Sequence, residues 1–345
     1  MFIPKYSINS RLLSNIKRIA VLTEELNGKH FSETVLLTME RSARALSSFS
    51  STSIEGNPLP LTDVKRILKN APEHIRDTEK EVLNYNSALE YLNLVSKGGV
   101  IDVDTDLVCR IHEIVTTGLM EGYRVGKMRN EAVFVNDIRS RKPTYLPPDS
   151  KDVYILMSEI FLFIKENQSK IDPLILAGIF HKQFVIIHPF MDGNGRTARL
   201  ITKALLARMG LNTFNLFSFE NYYNQNVSKY FLNVGLTGNY YDLKDIVDFT
   251  SWLEYFTDGI IDELLRVKKE LEKVNESFIT EPPLKKEYRI ILNFIEKNGT
   301  ISMSQYAGMT NKARATRILD FKKLIELKKI ERMGKGKNTY YRLKN

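Results

Sequence analysis

The stretch His188–Arg199 combines, within twelve residues, the side-chain types that handle a phosphate ester; it reads HPFMDGNGRTAR. His188 offers a ring nitrogen that can accept a proton, and Asp192 offers a carboxylate of the kind that holds Mg²⁺ beside substrate phosphates. Arg196 and Arg199 offer planar, forked donors that suit phosphate oxygens. This composition indicates transfer of a phosphate-containing group, with a nucleotide and its metal ion as the expected ligands.

The glycines of this stretch predict a loop that approaches an anion with its backbone. Gly193 and Gly195 flank Asn194 and permit positive φ angles, so that successive N–H groups can point inward. Residues 200–208 predict a helix, whose N-terminus adds partial positive charge at the same place. We therefore expect a phosphate to lie at this turn.

The residues before the loop must position its histidine. The apolar run 174–187 predicts a buried helix that ends at His188, because Pro189 disfavours helical geometry in the residue before it. Taken singly, a histidine before a proline also fits a packed core residue, and a Gly-Asn-Gly turn also fits a plain connection between helices. The conjunction of these features favours a functional site.

The same stretch resembles the signature of Fic domains, H-x-F-x-(D/E)-G-N-G-R-x-x-R, and matches it at every fixed position. Most Fic proteins are AMP transferases. The resemblance implies that His188 takes the proton from a Ser, Thr or Tyr hydroxyl of a target protein while that oxygen attacks the α-phosphate of ATP. Phe190 would fix the loop in the core, and Asp192 would hold Mg²⁺. Arg196 and Arg199 would hold the β- and γ-phosphates. The nucleotide-binding residues that the resemblance implies are Asp192, Gly193, Asn194, Gly195, Arg196, Thr197 and Arg199.

A second segment, Ser51–Asn57 (STSIEGN), resembles the inhibitory motif (S/T)-x-x-x-E-(G/N) of Fic proteins that carry it on the N-terminal side of the core. The resemblance implies that Glu55, which follows a helix predicted over residues 35–51, pairs with Arg199. Nucleotide could then bind only in a non-productive pose. The inhibitory residues would be Ser51, Glu55 and Gly56. The alternative is an ordinary helix C-terminus, with Gly56 as its cap and Glu55 in solvent.

A third segment predicts a β-hairpin in a mainly helical chain. Residues 128–136 alternate apolar and polar side chains toward their end, and residues 144–148 follow the charged turn 136–142. The hairpin resembles the Fic flap, whose exposed edge receives an extended segment of the target protein. The flap residues nearest the nucleotide would be Phe134, Val135 and Asn136. A purely structural hairpin is the alternative.

Residues 219–231 resemble the helix in which family members carry a paired aromatic near the adenine. The pair here is Tyr230 and Phe231, and the phenylalanine keeps a stacking face but has no hydroxyl. Leu236 or Thr237 stands where a polar residue is often found. The way the base is recognised therefore stays open.

Composition bounds the class of protein. The chain has 345 residues, of which 43% are hydrophobic and 26% charged, as in soluble globular proteins of two or three domains. No apolar run approaches the roughly 20 residues of a membrane span. The first residues lack the basic and then apolar pattern of a signal peptide. Cys109 is the single cysteine of the sequence, which excludes an intrachain disulfide. We expect a cytoplasmic protein without a membrane partner.

The positive charge is concentrated in residues 284–345, which hold sixteen Lys and Arg against five Asp and Glu, although the whole chain has a net charge of +9. Helices predicted over 287–296, 302–308 and 311–326, followed by a hairpin over 330–343, resemble a winged helix-turn-helix domain with the third helix as recognition helix. The expected DNA contacts are Lys312, Arg314, Arg317, Lys335 and Lys337. A protein-interaction module is the alternative.

The predicted fold is mainly α: a Fic helical core with a β-hairpin flap, plus a C-terminal winged helix-turn-helix domain. Its predicted parts are a helical N-terminal region (1–95), the Fic core (96–265), a helix end and linker (266–283) and the basic domain (284–345). Two functions fit. One is a protein adenylyltransferase restrained by Glu55, with removal of AMP or transfer of another nucleotide as variants. The other is a DNA-binding regulator that senses nucleotide. A homodimer is compatible with the sequence, which does not identify the target protein.

Overall fold

The computed structural model describes residues 2–29, 31, 33–70, 72, 74–96, 102–136, 143–211, 214–278, 285–334, 336 and 339–344. The chain divides into two compact units, Met1–His30 with Met39–Lys273, and Phe31–Thr38 with Val274–Asn345. The first unit includes most of the predicted N-terminal region and the whole of residues 96–265. The predicted break at residues 280–283 lies outside the described residues.

Helices make up most of the first unit. Two of them, α2 and α12, share residues with the second unit. Short 3₁₀ turns lie at Ala207–Met209 and Phe214–Leu216. The helices are α1 (Ser10–Asn27), α2 (Glu33–Ile54), α3 (Leu61–Lys69), α4 (Asp77–Ser96), α5 (Thr105–Thr116), α6 (Ser150–Asn167), α7 (Pro173–Ile187), α8 (Asn194–Leu206), α9 (Glu220–Gln225), α10 (Val227–Val234), α11 (Tyr240–Leu243) and α12 (Thr250–Phe278).

Helix α7 is the centre of the first unit because its sequence is apolar on all sides, and nearly all its residues are buried. It begins with the Asp172 side chain accepting from the Leu174 N–H at 2.8 Å. A methyl group on Gly178 would collide with the Leu253 side chain, so α12 packs closely here. The indole of Trp252 donates to the Gly178 carbonyl at 2.7 Å and fixes this approach.

A small sheet lies beside these helices. Strand β1 (Val135–Asn136) pairs antiparallel with β2 (Pro143–Leu146), with Val135 opposite Tyr145. Strand β3 (Gly238–Asn239), which the sequence did not predict, pairs in parallel with β2. The regular strands are shorter than predicted, and the charged turn over residues 137–142 lies outside the described residues.

Several helices differ from their predicted bounds; helix α2, for example, is longer than the predicted 35–51. Helix α8 begins at Asn194 rather than at Leu200, because Gly193, with φ 74°, turns the chain directly into it. The helix predicted over residues 219–231 is broken at Asn226, whose side chain accepts from the Lys229 N–H at 3.0 Å and caps α10. A local capping bond thus ends one helix and begins the next.

The second unit alternates helices and strands. Its elements are α13 (Lys286–Asn298), β4 (Ile301–Ser302), α14 (Met303–Ala307), α15 (Arg314–Glu326), β5 (Ile330–Met333) and β6 (Tyr340–Leu343). The strands form an antiparallel sheet in the order β4-β6-β5. Its core includes Ile291, Tyr306, Phe321 and Tyr341. Helix α15 begins at Arg314, later than the predicted Asn311, because Ala313 has extended backbone angles.

In the described part of the chain, no helix has both the length and the apolar character needed to cross a membrane.

Candidate active site

The site is built where α7 ends and α8 begins. His188 follows α7 with φ 51° and ψ 61°, a left-handed conformation that is uncommon outside glycine. The Asn194 side chain holds the loop closed, since it accepts from the Phe190 N–H at 2.9 Å and donates to the Phe190 carbonyl at 2.8 Å. The Phe190 ring is fully buried. The loop between the two helices is therefore fixed from inside.

The His188 ring is neutral at pH 7, because burial lowers its pKa to about 4. Its Nδ1 lies 3.4 Å from the Val185 carbonyl. A carbonyl only accepts, so this contact favours the tautomer with the proton on Nδ1. The other ring nitrogen, Nε2, then carries a lone pair that can accept a proton.

Asp192 presents its carboxylate at the surface of the loop, with the side chain 67% exposed. Its Oδ1 accepts from the Gly193 N–H at 2.6 Å, and its Oδ2 accepts from Arg196 at 3.2 Å. Among the described residues, no group of three or more His, Cys, Asp and Glu side chains is arranged to hold a metal ion. A single exposed carboxylate fits an Mg²⁺ ion whose remaining ligands are phosphate oxygens and water.

Arg196 and Arg199 are buried guanidiniums at the start of α8, 3% and 0% exposed. Arg196 Nη1 forms an ion pair with Glu81 at 3.6 Å, too long for a hydrogen bond, and the sequence analysis did not single out Glu81. Within the described residues, four buried donor atoms of this turn have no hydrogen-bond partner: Arg196 Nε and Nη1, Arg199 Nη1 and Thr197 Oγ1. Such donors at a helix N-terminus are suited to an anion.

Arg199 is bound by the segment that resembles an inhibitory motif. Its Nη2 donates to Glu55 Oε1 at 2.8 Å and to the Ser51 carbonyl at 2.9 Å, while its Nε donates to Ser51 Oγ at 2.8 Å. Gly56, with φ 96°, turns the chain immediately after Glu55. A methyl group on Gly195 would collide with Glu55 Oε1 and lie 3.0 Å from Arg199 Nη1. The Glu55 carboxylate therefore occupies the space above the first turn of α8.

A buried polar network lies behind Arg199, and sequence reasoning missed it. Tyr85 of α4 donates to Glu220 Oε1 at 2.9 Å, and both residues are fully buried. The Tyr85 hydroxyl also interacts with Ser51, the residue that contacts Arg199. A glutamate at the start of a short helix and a tyrosine between two asparagines do not predict a buried network, so neither gave a usable signal.

His112 supports the loop from α5. Its Nε2 lies 3.0 Å from the Asp192 carbonyl, and its Nδ1 accepts from the Gly126 N–H at 3.0 Å. The ring stacks on Phe190 with centroids 3.7 Å apart. Burial lowers the pKa of His112 to about 4, so the ring is neutral and donates from Nε2. The sequence analysis did not single out this residue.

The predicted flap residues lie at the strand pair, where Phe134 is 60% exposed, Asn136 is exposed and Val135 packs against the cluster around Tyr145. Of the predicted aromatic pair, Phe231 is half-buried and Tyr230 is buried. The Tyr230 hydroxyl lies 2.9 Å from His181 Nε2. Its ring stacks on Tyr223, at 4.6 Å between centroids.

The predicted DNA contacts are distributed unevenly in the second unit. Lys312 forms ion pairs with Asp320 at 3.0 Å and with Glu287 at 3.5 Å. Arg317 donates to the Lys312 carbonyl at 2.9 Å, and Arg314 is exposed. The remaining two predicted contacts, Lys335 and Lys337, lie outside the described residues.

Residues 102–206 match the family described as Fic/DOC, a range that includes the loop and both flanking helices. Similar curated proteins include the protein adenylyltransferase fic-1 of Caenorhabditis elegans, 31% identical over 201 residues, which cover 56% of this chain and 38% of fic-1. The protein adenylyltransferase Fic of Culex quinquefasciatus is 31% identical over 223 residues, 59% of this chain and 43% of that protein. The chain spans about two fifths of the length of these relatives.

The fold is that of solved Fic structures. A Fic family protein from Desulfovibrio desulfuricans superposes with a TM-score of 0.62 at 19% identity, covering 100% of this chain and 99% of that one. Fic-1 from C. elegans superposes with a TM-score of 0.61 at 23% identity, covering 76% and 73% of the two chains. Both likenesses concern the fold alone.

Proposed function

We propose that the protein transfers AMP from ATP to a Ser, Thr or Tyr hydroxyl of a target protein, and that Glu55 restrains this activity. The observation that carries the proposal is the 2.8 Å contact of Glu55 with Arg199, beside guanidinium donors that have no hydrogen-bond partner and a neutral histidine. The position of this carboxylate supports the proposal that the turn binds an anion. The relatives named as adenylyltransferases support the choice of AMP as the transferred group.

In the proposed reaction the hydroxyl oxygen attacks the α-phosphorus of ATP in line with the bond to the bridging oxygen. That bond breaks, pyrophosphate leaves with its electron pair, and the hydroxyl proton passes to Nε2 of His188. General-base catalysis of this kind contributes roughly 10²–10⁴-fold in rate. The remaining acceleration comes from positioning and from stabilising charge on the phosphates.

Arg196, Arg199 and Thr197 would bind phosphate oxygens, since their buried donors need partners. The exposed carboxylate of Asp192 would hold Mg²⁺, which neutralises negative charge on the phosphates. Gly193, Asn194 and Gly195 would let the backbone approach the anion closely. The adenine would lie near Tyr230 and Phe231, as predicted from the resemblance.

A target segment would dock on the flap. Strand β1 is an edge strand, and its residues Val135 and Asn136 have regular pairing on one side only in the described sheet. An extended peptide can add to such an edge through main-chain hydrogen bonds. The exposed Phe134 offers an apolar contact beside that edge.

The proposal is tested by incubating wild type, Glu55→Gly and Glu55→Gly/His188→Ala with Mg²⁺ and α-labelled ATP, and reading label on the protein by intact mass. We expect one AMP on the Glu55→Gly protein, little on wild type and none on the double variant. Absence of label from every variant, despite measurable ATP binding, overturns transfer. Equal labelling of wild type and Glu55→Gly overturns the restraint.

A second candidate function, a DNA-binding regulator that senses nucleotide, is favoured by the charge of residues 284–345, sixteen Lys and Arg against five Asp and Glu. Exposed basic residues of α15 include Arg314, Lys322 and Lys323. Phosphate contacts make binding strongly salt-dependent. Arg314→Ala should weaken binding to duplex DNA at every sequence and reduce the salt dependence, whereas unchanged binding excludes Arg314 as a contact.

A further inference from the structure

Arg129 is a buried cation, 4% exposed, whose side-chain hydrogen bonds all end on backbone carbonyls in the described structure. Nε donates to the His188 carbonyl at 2.8 Å, and Nη2 reaches the Ile187 carbonyl at 3.4 Å. Its own backbone N–H donates to the Pro189 carbonyl at 2.8 Å. One residue thus binds three consecutive carbonyls, including that of the proposed base.

These carbonyls need donors because they lie at or just beyond the end of α7, where no intrahelical N–H reaches them. A cation at a helix C-terminus also interacts favourably with the helix dipole. His188 itself has φ 51°, a conformation that costs free energy unless the surroundings hold it. The hydrogen bond from Arg129 to the His188 carbonyl stabilises this conformation, so Arg129 helps to fix the orientation of the imidazole.

The other side-chain bonds of Arg129 reach the two ends of the flap. Nη1 donates to the Glu131 carbonyl at 2.9 Å, shortly before β1 begins. Nη2 donates to the Pro148 carbonyl at 2.5 Å, shortly after β2 ends. A single guanidinium therefore ties both legs of the flap to the backbone of His188.

We propose that Arg129 is a positioning residue that keeps the flap in register with His188, so that a hydroxyl presented on β1 meets the proton-accepting nitrogen. This inference rests on the proposed transfer reaction. The planar fork of arginine is required, because three directions of donation must be served at once. Lysine keeps the charge but concentrates its donors on one atom, so it cannot bridge the flap and the loop.

The test compares Glu55→Gly with Glu55→Gly/Arg129→Lys. Misplacement of reacting groups by about 1 Å costs roughly 10²-fold in rate, so we expect a fall of that order in the self-labelling rate at saturating ATP. The KM for ATP should change less than the rate, because Arg129 contacts none of the proposed phosphate-binding residues and can affect the nucleotide only through the flap. An unchanged rate, or a loss carried entirely by the KM for ATP, overturns the inference.

Arg124→Lys in the same background is the matched control. Arg124 also lies before the flap, but it donates to the Glu131 carboxylate at 3.0 Å rather than to the loop. We expect this variant to label at the rate of its parent. A loss as large as that of Arg129→Lys overturns a specific role for Arg129.

Hydrogen exchange supplies a readout that does not depend on transfer. In Arg129→Lys, amides of the flap and of residues 187–190 should exchange faster together, while Arg124→Lys leaves residues 187–190 unchanged. Faster exchange in only one of the two segments overturns the coupling. If Arg129→Lys does not fold, native-state hydrogen exchange of the wild-type protein in increasing urea replaces the comparison of variants. We expect the flap and residues 187–190 to open together. Opening of the two segments at different urea concentrations overturns the inference.

These measurements separate two kinds of failure. Absence of label from the Glu55→Gly parent overturns the proposed function, while the exchange experiment still decides whether Arg129 couples the flap to the loop. A labelled parent with an equally active Arg129→Lys variant leaves the proposed function standing and overturns the inference alone.

Discussion

Glu55 Oε1 lies 2.8 Å from Arg199 Nη2, although the two residues are 144 positions apart in the chain. The guanidinium is fully buried, whereas the carboxylate side chain is 31% exposed. An exposed anion can leave its partner at lower cost than a buried one, because water replaces part of the lost interaction. Of the two side chains, Glu55 is therefore the one that can leave the pair at lower cost.

Glu55→Gln should raise the affinity for ATP about tenfold or more, because hydrogen bonds to charged groups contribute about 1.5–3 kcal/mol and the amide competes less well for Arg199. Isothermal titration with ATP, in the presence of Mg²⁺, measures the change. Glu90→Gln, which removes the carboxylate of a surface pair with Arg44, is the control and should leave affinity unchanged. Equal affinities for wild type and Glu55→Gln would contradict competition at Arg199.

Gly195→Ala should lower the stability of the nucleotide-free protein, because the added methyl collides with Glu55 Oε1. The same substitution should cost less in a Glu55→Gly background, where no carboxylate lies above the helix. Contacting residues commonly show interaction free energies of about 0.5–3 kcal/mol in such cycles. Urea unfolding of wild type, Gly195→Ala, Glu55→Gly and the double variant gives the interaction free energy between the two positions. Additive effects of the two substitutions would show that Glu55 does not lie above Gly195 in solution.

Tyr85→Phe should destabilise the protein by about 1–3 kcal/mol, because a buried acceptor on Glu220 loses its partner. The fully buried tyrosine donates to that carboxylate at 2.9 Å and also contacts Ser51, so ATP affinity in Glu55→Gly should fall as Arg199 loosens. Tyr91→Phe, on the same helix and half-buried, is the control. Chemical denaturation and ATP titration check the two effects, and a Tyr85→Phe protein as stable as Tyr91→Phe contradicts them.

Stability should decrease as the pH falls below about 6.5, the ordinary pKa of histidine. Burial holds the pKa of His181 well below that value in the folded protein, so the unfolded chain binds a proton that the folded one excludes. Above pH 6.5 the folded and unfolded states bind the same number of protons at His181, because its ring is neutral in both. His181→Gln should therefore reduce the loss of stability on acidification without removing it, since His112 and His188 also have a pKa of about 4.

Urea midpoints at pH 7.5 and pH 5.5 measure this dependence. His74→Gln, which changes an exposed histidine, serves as the control and should keep the pH dependence of wild type. The same dependence in His181→Gln and wild type would show that His181 does not remain neutral on folding.

The loop between α7 and α8 could be predicted from the sequence because its geometry is local. Pro189 predicts that a helix ends at His188, and the glycines predict the positive φ that Gly193 adopts at 74°. The start of α8 could not be placed from apolar periodicity, because Asn194, Arg196 and Arg199 are polar although they are buried in the first turns of the helix. The interruption at Asn226 was missed for a similar reason, since a side-chain cap outweighs an otherwise continuous helical pattern.

By itself the sequence determined the chemistry available to this protein, because the order and spacing of His188, Asp192, Arg196 and Arg199 are covalent facts confined to one turn and one helix. Only the tertiary structure decided what those groups meet. Hydrogen bonds of Arg199 with Ser51 and Glu55 join the end of α2 to α8, and the flap legs converge on Arg129. Such contacts join distant segments, and the free energy of burying their shared core, not any local pattern, selects which segments meet.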